Sequence, residues 1–260
     1  MKQFVAASEP DKNGRLKIGG KEFHYLVHVR RVKLGESLNI VLPSGENACA
    51  NVCALSGDCV ELILSGKKEE KSEALPKTIL FQALPKDVKM DLIVRQATEC
   101  GVSQIVPFKG ERSIERSKTE PRLERWRRIV KEARQQSGSN SETLVFAPVA
   151  FNEIFSLWNK IQADALDKAG GVTAGVFLHT QGDCVPFHFA FNGVINAAAL
   201  AVGPEGGFSA AEAEIFSKEG FLPVSLGQNV LRTESAALAG LAVLRILLLE
   251  RSSWKNTVNG

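Results

Sequence analysis

Residues 202–209 read Val202-Gly203-Pro204-Glu205-Gly206-Gly207-Phe208-Ser209. An apolar run, Ala197 to Val202, leads into them, and Ser209 stands three residues before Glu212, the spacing of a capping box at a helix start. The order is therefore strand, glycine loop, helix. Three glycines and a proline let the backbone turn sharply and approach a ligand closely. Loops at the C-terminal ends of strands are where open α/β sheets bind small molecules. For one such loop alone, a plain structural turn is the competing explanation.

A second loop of the same kind follows. Val224 to Leu226 ends another apolar strand and runs into Gly227-Gln228-Asn229-Val230-Leu231-Arg232-Thr233-Glu234-Ser235, at the mouth of a long apolar helix. A buried Arg232–Glu234 pair capping that helix is one account of the two charges. Two glycine-bearing strand ends separated by one βα unit favour a shared ligand crevice.

Outward from these loops the same alternation continues. Strand-length apolar runs at Thr78–Leu84, Gln104–Phe108, Thr143–Phe146, Gly175–His179, Ala198–Val202 and Pro223–Leu226 alternate with helix-like stretches. Those helices are expected at Val88–Glu99, Pro121–Gln136, Phe151–Asn159, Ser209–Lys218 and Thr233–Glu250. The pattern predicts an α/β domain with a mainly parallel sheet covered by helices. Residues 1–72 differ: short alternating strands around Leu38–Leu42 and Val60–Leu64, turn signals at Pro43-Ser44-Gly45 and Ser56-Gly57-Asp58, and one helix near Gly20–Lys33 predict a small β-barrel domain. The charged segment Ser65–Lys77 reads as the linker, giving two domains, 1–72 and 73–260.

The net charge of +3 is unevenly placed. Between Lys109 and Arg134, ten basic residues face five acidic ones, so this window alone nets +5 and the rest of the chain −2. Concentrated positive charge suits a phosphate-bearing partner; a solvated helix laced with Glu–Arg pairs accounts for it equally well. On helix Pro121–Gln136, Leu123, Trp126, Ile129, Val130 and Ala133 follow helical spacing toward a core. Arg125, Arg128 and Lys131 then fall on the outward side and, with Arg112, are the candidate contacts to such a partner. Pro121 suits the first helical position.

Several chemistries are excluded. The chain has no G-x-x-x-x-G-K-[ST], no G-x-G-x-x-G after a strand and no G-x-S-x-G. Cys49, Cys53, Cys59, Cys100 and Cys184 lack C-x-x-C spacing, and His24 and His28 have no third ligand type nearby, so no metal is expected. The longest apolar stretch, Ala236–Leu249, is interrupted by Arg245, and the start shows no basic cap before an apolar run. A cytoplasmic protein outside the membrane is the expectation.

VGPEGGFS together with LGQNVLRTESAAL closely resembles the bacterial 16S ribosomal RNA uridine-N3 methyltransferases of the SPOUT superfamily. His24-Tyr25-Leu26 through Val29-Arg30-Arg31 and Lys33-Leu34-Gly35-Glu36 looks like their N-terminal PUA-like RNA-binding segment. Lys86 to Phe108 and Arg125-Trp126 to Gly138 look like their middle motifs. The resemblance implies a trefoil knot at the C-terminal end of the sheet, which connection rules alone argue against. It also implies S-adenosylmethionine bent among three loops: Leu178-His179-Thr180, then Gly203, Pro204, Glu205, Gly206 and Gly207 up to Phe208, then Leu226 and Gly227 through Val230 and Leu231. A homodimer completing the RNA site, partly through the helix Glu234–Glu250, and 16S ribosomal RNA or the 30S subunit as partner follow from the same resemblance, as do Arg30, Arg31 and Lys33 as RNA contacts. The chain departs from the family at Gln228-Asn229, where Pro-Arg is usual, at Ser235 for Thr, at Cys100 within Glu-Leu-Gly, and at Ser139 for Arg. Arg232 is left as the motif's Arg.

Uracil N3 carries a proton, and its loss ahead of methylation puts negative charge on the ring oxygens. Arg232 is the candidate to stabilise it, and Glu234 the candidate to orient Arg232 or to act as base. Two rival readings keep some of this: the same fold methylating transfer RNA or a ribose 2′-hydroxyl, and a non-catalytic RNA-binding assembly protein.

Overall fold

The computed structural model describes residues 3–44, 46–67, 76–86, 89–113, 119–139, 142–166, 172–180, 182–191 and 195–254. Gly45 of the expected first turn, most of the charged segment Ser65–Lys77, and Arg116 and Lys118 of the basic window lie outside them. The chain divides into two compact units, Met1–Lys71 with Lys131–Asn140, and Ser72–Val130 with Ser141–Gly260.

In the first unit, β1 (Gln3–Val5), β2 (Arg15–Gly19), β3 (Ser37–Val41), β4 (Asn47–Leu55) and β5 (Cys59–Lys67) form one sheet in the order β1-β3-β4-β5-β2. Only β1–β3 is parallel. Register shifts between Cys49 and Ala50 and between Val52 and Ala54 interrupt the long β4–β5 pairing, and such irregularities increase local twist. Alternate residues Leu38 and Ile40, Ala48, Ala50 and Val52, and Val60 and Leu62 point into one core. The single helix expected over Gly20–Lys33 is shorter and uneven: α1 (Gly20–His24) passes into a π-helical turn, Tyr25–Val29. It stops because Arg31 takes a left-handed backbone, φ 57°, which no helix continues through. Leu26 is the buried anchor of this segment, and Val32 N–H returns to its carbonyl at 3.1 Å.

In the second unit seven strands form one parallel sheet. They are β6 (Lys77–Ala83), β7 (Gln104–Lys109), β8 (Leu144–Val145), β9 (Val149–Ala150), β10 (Val172–Leu178), β11 (Ile195–Val202) and β12 (Phe221–Val224). The order is β12-β10-β11-β6-β7-β8, with β9 on the other half of β7. The helices are α2 (Lys89–Glu99), α3 (Thr119–Ser137, whose residues from Lys131 on belong to the first unit), α4 (Glu153–Leu166), α5 (Ala210–Lys218) and α6 (Thr233–Trp254). Both faces are buried, which is why the strands read as continuous apolar runs. Along β11, Ala198, Leu200 and Val202 face a core with residues of α2, α3 and α6. Ala197, Ala199 and Ala201 face the other core, with residues of α4 and α5. Small alanines on that second face make room for an aromatic cluster in which Phe216 packs 5.2 Å from Phe177 and 5.3 Å from Phe221, ring centre to ring centre. Gly175 is part of the same fit: a β-carbon there would lie 2.8 Å from the Phe221 ring.

Helix α3 begins two residues before the expected Pro121. Proline in the first turn costs nothing, since its missing N–H would have no partner there. Leu123, Trp126, Ile129, Val130 and Ala133 are buried as the spacing predicts. The cysteines are free thiols, and among the described residues no group of three or more His, Cys, Asp or Glu could hold a metal ion. No helix among them is long and apolar enough to cross a membrane.

Candidate active site

Because β12, β10, β11, β6 and β7 are all parallel and adjacent, their C-terminal ends share one edge of the sheet. The register aligns Leu178 with Val224, Phe177 with Ala201, and Val202 with Gln82. The segments after these strands therefore gather at one place, and both glycine loops are among them.

The loop after β11 is held from both sides. Gly207 N–H closes a turn on the Pro204 carbonyl at 2.9 Å, with Gly207 at φ 65°. Gly203 is tightly packed: a β-carbon there would lie 3.1 Å from the Gly207 backbone, which would have to give way by a few tenths of an ångström. Ser209 and Glu212 make the predicted reciprocal cap: Glu212 N–H donates to Ser209 Oγ at 3.2 Å, and Ser209 N–H to Glu212 Oε2 at 2.9 Å. The other Glu212 oxygen accepts from Glu111 N–H at 2.8 Å, bringing in the segment after β7. From that segment Arg112 donates to the carbonyls of Gly206 (2.6 Å) and Phe208 (3.3 Å). Arg112, predicted as an RNA contact on charge, thus braces the glycine loop.

The loop after β12 is more open. Gly227, at φ 113°, is tied to Ser225 Oγ at 3.2 Å. Val230 is 79% exposed, and Leu231 is exposed as well. The loop ends in Thr233, which is buried and binds the other loop directly, its hydroxyl donating to the Gly203 carbonyl at 2.7 Å. Gln82, fully buried at the end of β6, donates to Thr233 Oγ1 at 3.1 Å and to the Ala83 carbonyl at 2.9 Å.

A second tie is ionic. Lys89, the first residue of α2, lies 2.8 Å from Glu205 Oε1 and 3.5 Å from Glu234 Oε2. Lys86 N–H also donates to the Glu205 carboxylate, at 3.1 and 3.3 Å. Burial alone would raise the Glu205 carboxyl, but Lys89 and the Lys86 N–H outweigh it and hold it below the ordinary value. The Lys89 ammonium is raised in turn by its hydrogen bond to Glu205. An Arg232–Glu234 pair does not form: Arg232 is exposed and its guanidinium has no hydrogen bond or ion pair among the described residues. The carboxylate has gone to the lysine instead.

Of the first loop, Leu178 ends β10 and His179 N–H donates to the Val224 carbonyl at 3.0 Å, fastening this loop to β12. Burial pushes the His179 imidazole below its ordinary value, favouring the neutral ring. Thr180 is exposed beside it.

The remaining candidates are dispersed. Arg125 pairs with Asp91 at 2.7 Å and Lys131 pairs with Glu22, so two of the three helix cations are already engaged. Arg128 is exposed without a partner among the described residues. Arg31 and Lys33 are exposed in the first unit and Arg30 is half-buried there. Sequence reading missed Lys89, Gln82 and Thr233 as parts of the site. Lys89 lies within the middle motif quoted for the resemblance, but nothing local marks it, because its partners are more than a hundred residues away.

Residues 71–245 match the family model of the RNA methyltransferase domain. Ribosomal RNA small subunit methyltransferase E of Bacillus subtilis is 28% identical over 87% of this chain and 88% of its own length. The protein of that name from Synechocystis sp. is 30% identical over 95% of this chain and 78% of its own. Among solved structures, ribosomal RNA small subunit methyltransferase E from Neisseria gonorrhoeae, bound to S-adenosyl methionine, is 25% identical with a TM-score of 0.79, covering 95% of this chain and 98% of that one. A putative methyltransferase from Legionella pneumophila in complex with the same cofactor is 25% identical with a TM-score of 0.76, over 94% of this chain and 96% of that one. With its glycine loops meeting at the edge of a parallel sheet and its relatives matched almost end to end, the chain belongs to the RNA methyltransferase family that includes ribosomal RNA small subunit methyltransferase E.

Proposed function

We propose that the protein transfers a methyl group from S-adenosylmethionine to N3 of a uridine in the 16S RNA of the small ribosomal subunit. The observation that carries this is the meeting of the two glycine loops through Thr233 and Gly203, with an unpaired Arg232 at their mouth. Relatives named for small-subunit RNA methylation, and a similar structure holding the cofactor, support the substrate and the methyl donor.

The residues present fit that donor. A β-carbon built at Gly207 or Gly227 meets nothing within 4 Å, so there is open space against bare backbone in both loops. Leu178, Leu226, Val230 and Leu231 supply apolar side chains around it, suited to a nucleoside lying against the chain. When bound, the cofactor supplies an electrophilic methyl group on a positively charged sulfur. The chain's part is positioning and electrostatics. The uridine leaves its base pair, N3 gives up its proton and attacks the methyl carbon in line, and the pair of the broken carbon–sulfur bond stays on sulfur. Arg232 offsets the negative charge that deprotonation puts on the uracil oxygens. Glu234 faces Lys89 at ion-pair distance and not Arg232, which leaves it as the candidate base.

Four finer features belong to this reading. The loops after β10, β11 and β12 form a trefoil knot. Residues 1–72 are a PUA-like RNA-binding domain carrying Arg30, Arg31 and Lys33. The protein works as a homodimer in the cytoplasm, and α6 supplies part of the dimer face; the exposure of Leu238, Ile246 and Leu249 on an otherwise packed helix supports this. Arg128, with Arg125 and Lys131, meets the RNA backbone.

The test is incubation with methyl-labelled cofactor and small subunits purified without the modification, followed by nucleoside mass analysis. Label recovered as 3-methyluridine is the expected result. Label on another atom, or none on RNA, overturns the reading.

A further inference from the structure

Arg232 and Glu234 lie two residues apart at the start of α6, yet they do not pair. Opposite charges this close in sequence attract, more strongly where water is partly excluded, and the Glu234 side chain is only 15% exposed. The carboxylate faces Lys89 instead. Its ammonium stands between Glu205 of one glycine loop and Glu234 of the motif, 2.8 and 3.5 Å away, and Glu205 is itself fixed by the Lys86 N–H. The lysine is therefore anchored on its far side and available to Glu234 on the near side. The Arg232 guanidinium is left exposed, with no partner among the described residues.

We infer that Lys89 is a positioning residue: by holding the Glu234 carboxylate, it keeps Arg232 free for the electron-rich face of the substrate. The clause concerning substrate rests on the function proposed above; the competition between Lys89 and Arg232 for Glu234 does not. Without the lysine, Glu234 is an unpaired, mostly buried carboxylate, and the nearest mobile cation on its own segment is Arg232. Their pairing would then withdraw from the site the one cation the motif retains.

Two readouts test this on the full-length protein. The first is the reactivity of Arg232 toward phenylglyoxal, followed by peptide mass mapping. Arg232 should react readily in the parent, about fivefold more slowly in Lys89→Met as it pairs with Glu234, and readily again in the double variant Lys89→Met with Glu234→Gln. Lys89→Arg keeps the charge and should match the parent. The second is methyl transfer to small subunits. Lys89→Met should lose about tenfold or more in turnover while cofactor affinity changes far less, and the double variant should recover to the level of Glu234→Gln alone. Equal Arg232 reactivity in the parent and Lys89→Met overturns the inference whatever the activity shows. So does a double variant that turns over more slowly than Glu234→Gln alone, because a merely structural lysine would add its own loss to that substitution. A parent that methylates no small-subunit RNA defeats the functional reading instead, and the adduct pattern still decides the competition. If Lys89→Met melts well below the parent, Lys89→Gln replaces it in both measurements.

Discussion

Thr233 Oγ1 donates to the Gly203 carbonyl at 2.7 Å while accepting from Gln82 Nε2 at 3.1 Å, so one buried hydroxyl joins the ends of β6 and β11 to the start of α6. Thr233→Val keeps the shape and removes both bonds. It takes that donor from the Gly203 carbonyl and leaves the Gln82 amide only the Ala83 and Val202 carbonyls, and should lower stability by about 1–3 kcal/mol in chemical denaturation. Cofactor affinity should fall with it, since the same bond sets the distance between the two glycine loops.

Arg232→Ala should affect turnover and leave binding nearly intact. An exposed guanidinium that acts only on developing charge contributes to the rate, and its removal should cost about a hundredfold or more. Calorimetry with S-adenosylmethionine should give an affinity close to the parent's. Equal turnover in the two proteins would take Arg232 out of the chemistry.

Acid should loosen the site through Glu205. Its folded-state carboxyl lies below the ordinary value of 4.5, despite burial acting in the other direction, because Lys89 and the Lys86 N–H favour the anion. A lowered folded-state value means that this contribution is complete above about pH 4.5 and fades as the pH falls through the folded value. Glu205→Gln should remove that portion of the acid dependence of melting and leave the neutral-pH profile flat.

Gly175→Ala tests the aromatic face. The added carbon would sit 2.8 Å from the Phe221 ring, inside a cluster that also includes Phe177 and Phe216. Overpacking of this kind costs about 1–3 kcal/mol, measurable as a lower midpoint in denaturant. The loops on the opposite edge of the chemistry need not change.

Neutralising Arg125, Arg128 and Lys131 together should weaken RNA binding and flatten its salt dependence, each phosphate contact being worth about 0.7–0.9 in the slope. Arg128 should account for more of the change than Arg125 or Lys131, which are held by Asp91 and Glu22. An unchanged slope would return the helix to an ordinary solvated surface.

Local chemistry explains which of these features the sequence reveals. The alternation of Ala197–Val202 and the Ser209–Glu212 spacing are short-range patterns, and both stand in the structure where they were expected. The glycine loops were legible because their backbone demands are local. The partners of Glu205 and Glu234 were not. Lys89 reaches them only because β6 lies beside β11, a pairing that strand periodicity does not encode. Arg112 shows another limit: the charge around it singles it out, but not the two carbonyls of the loop after β11 that its guanidinium binds. The uneven helix after Gly20 was hidden for another reason, since nothing in the residue types announces the left-handed backbone of Arg31.

The Gly203–Thr233 bond has a further consequence during synthesis. Strands β6, β7, β10 and β11 leave the ribosome well before the threonine that closes the cleft, and Lys89 waits just as long for Glu234. A nascent chain cut short before α6 would lack both the buried hydroxyl and the Glu234 carboxylate. The tie between the two glycine loops thus forms only after the start of α6 has emerged.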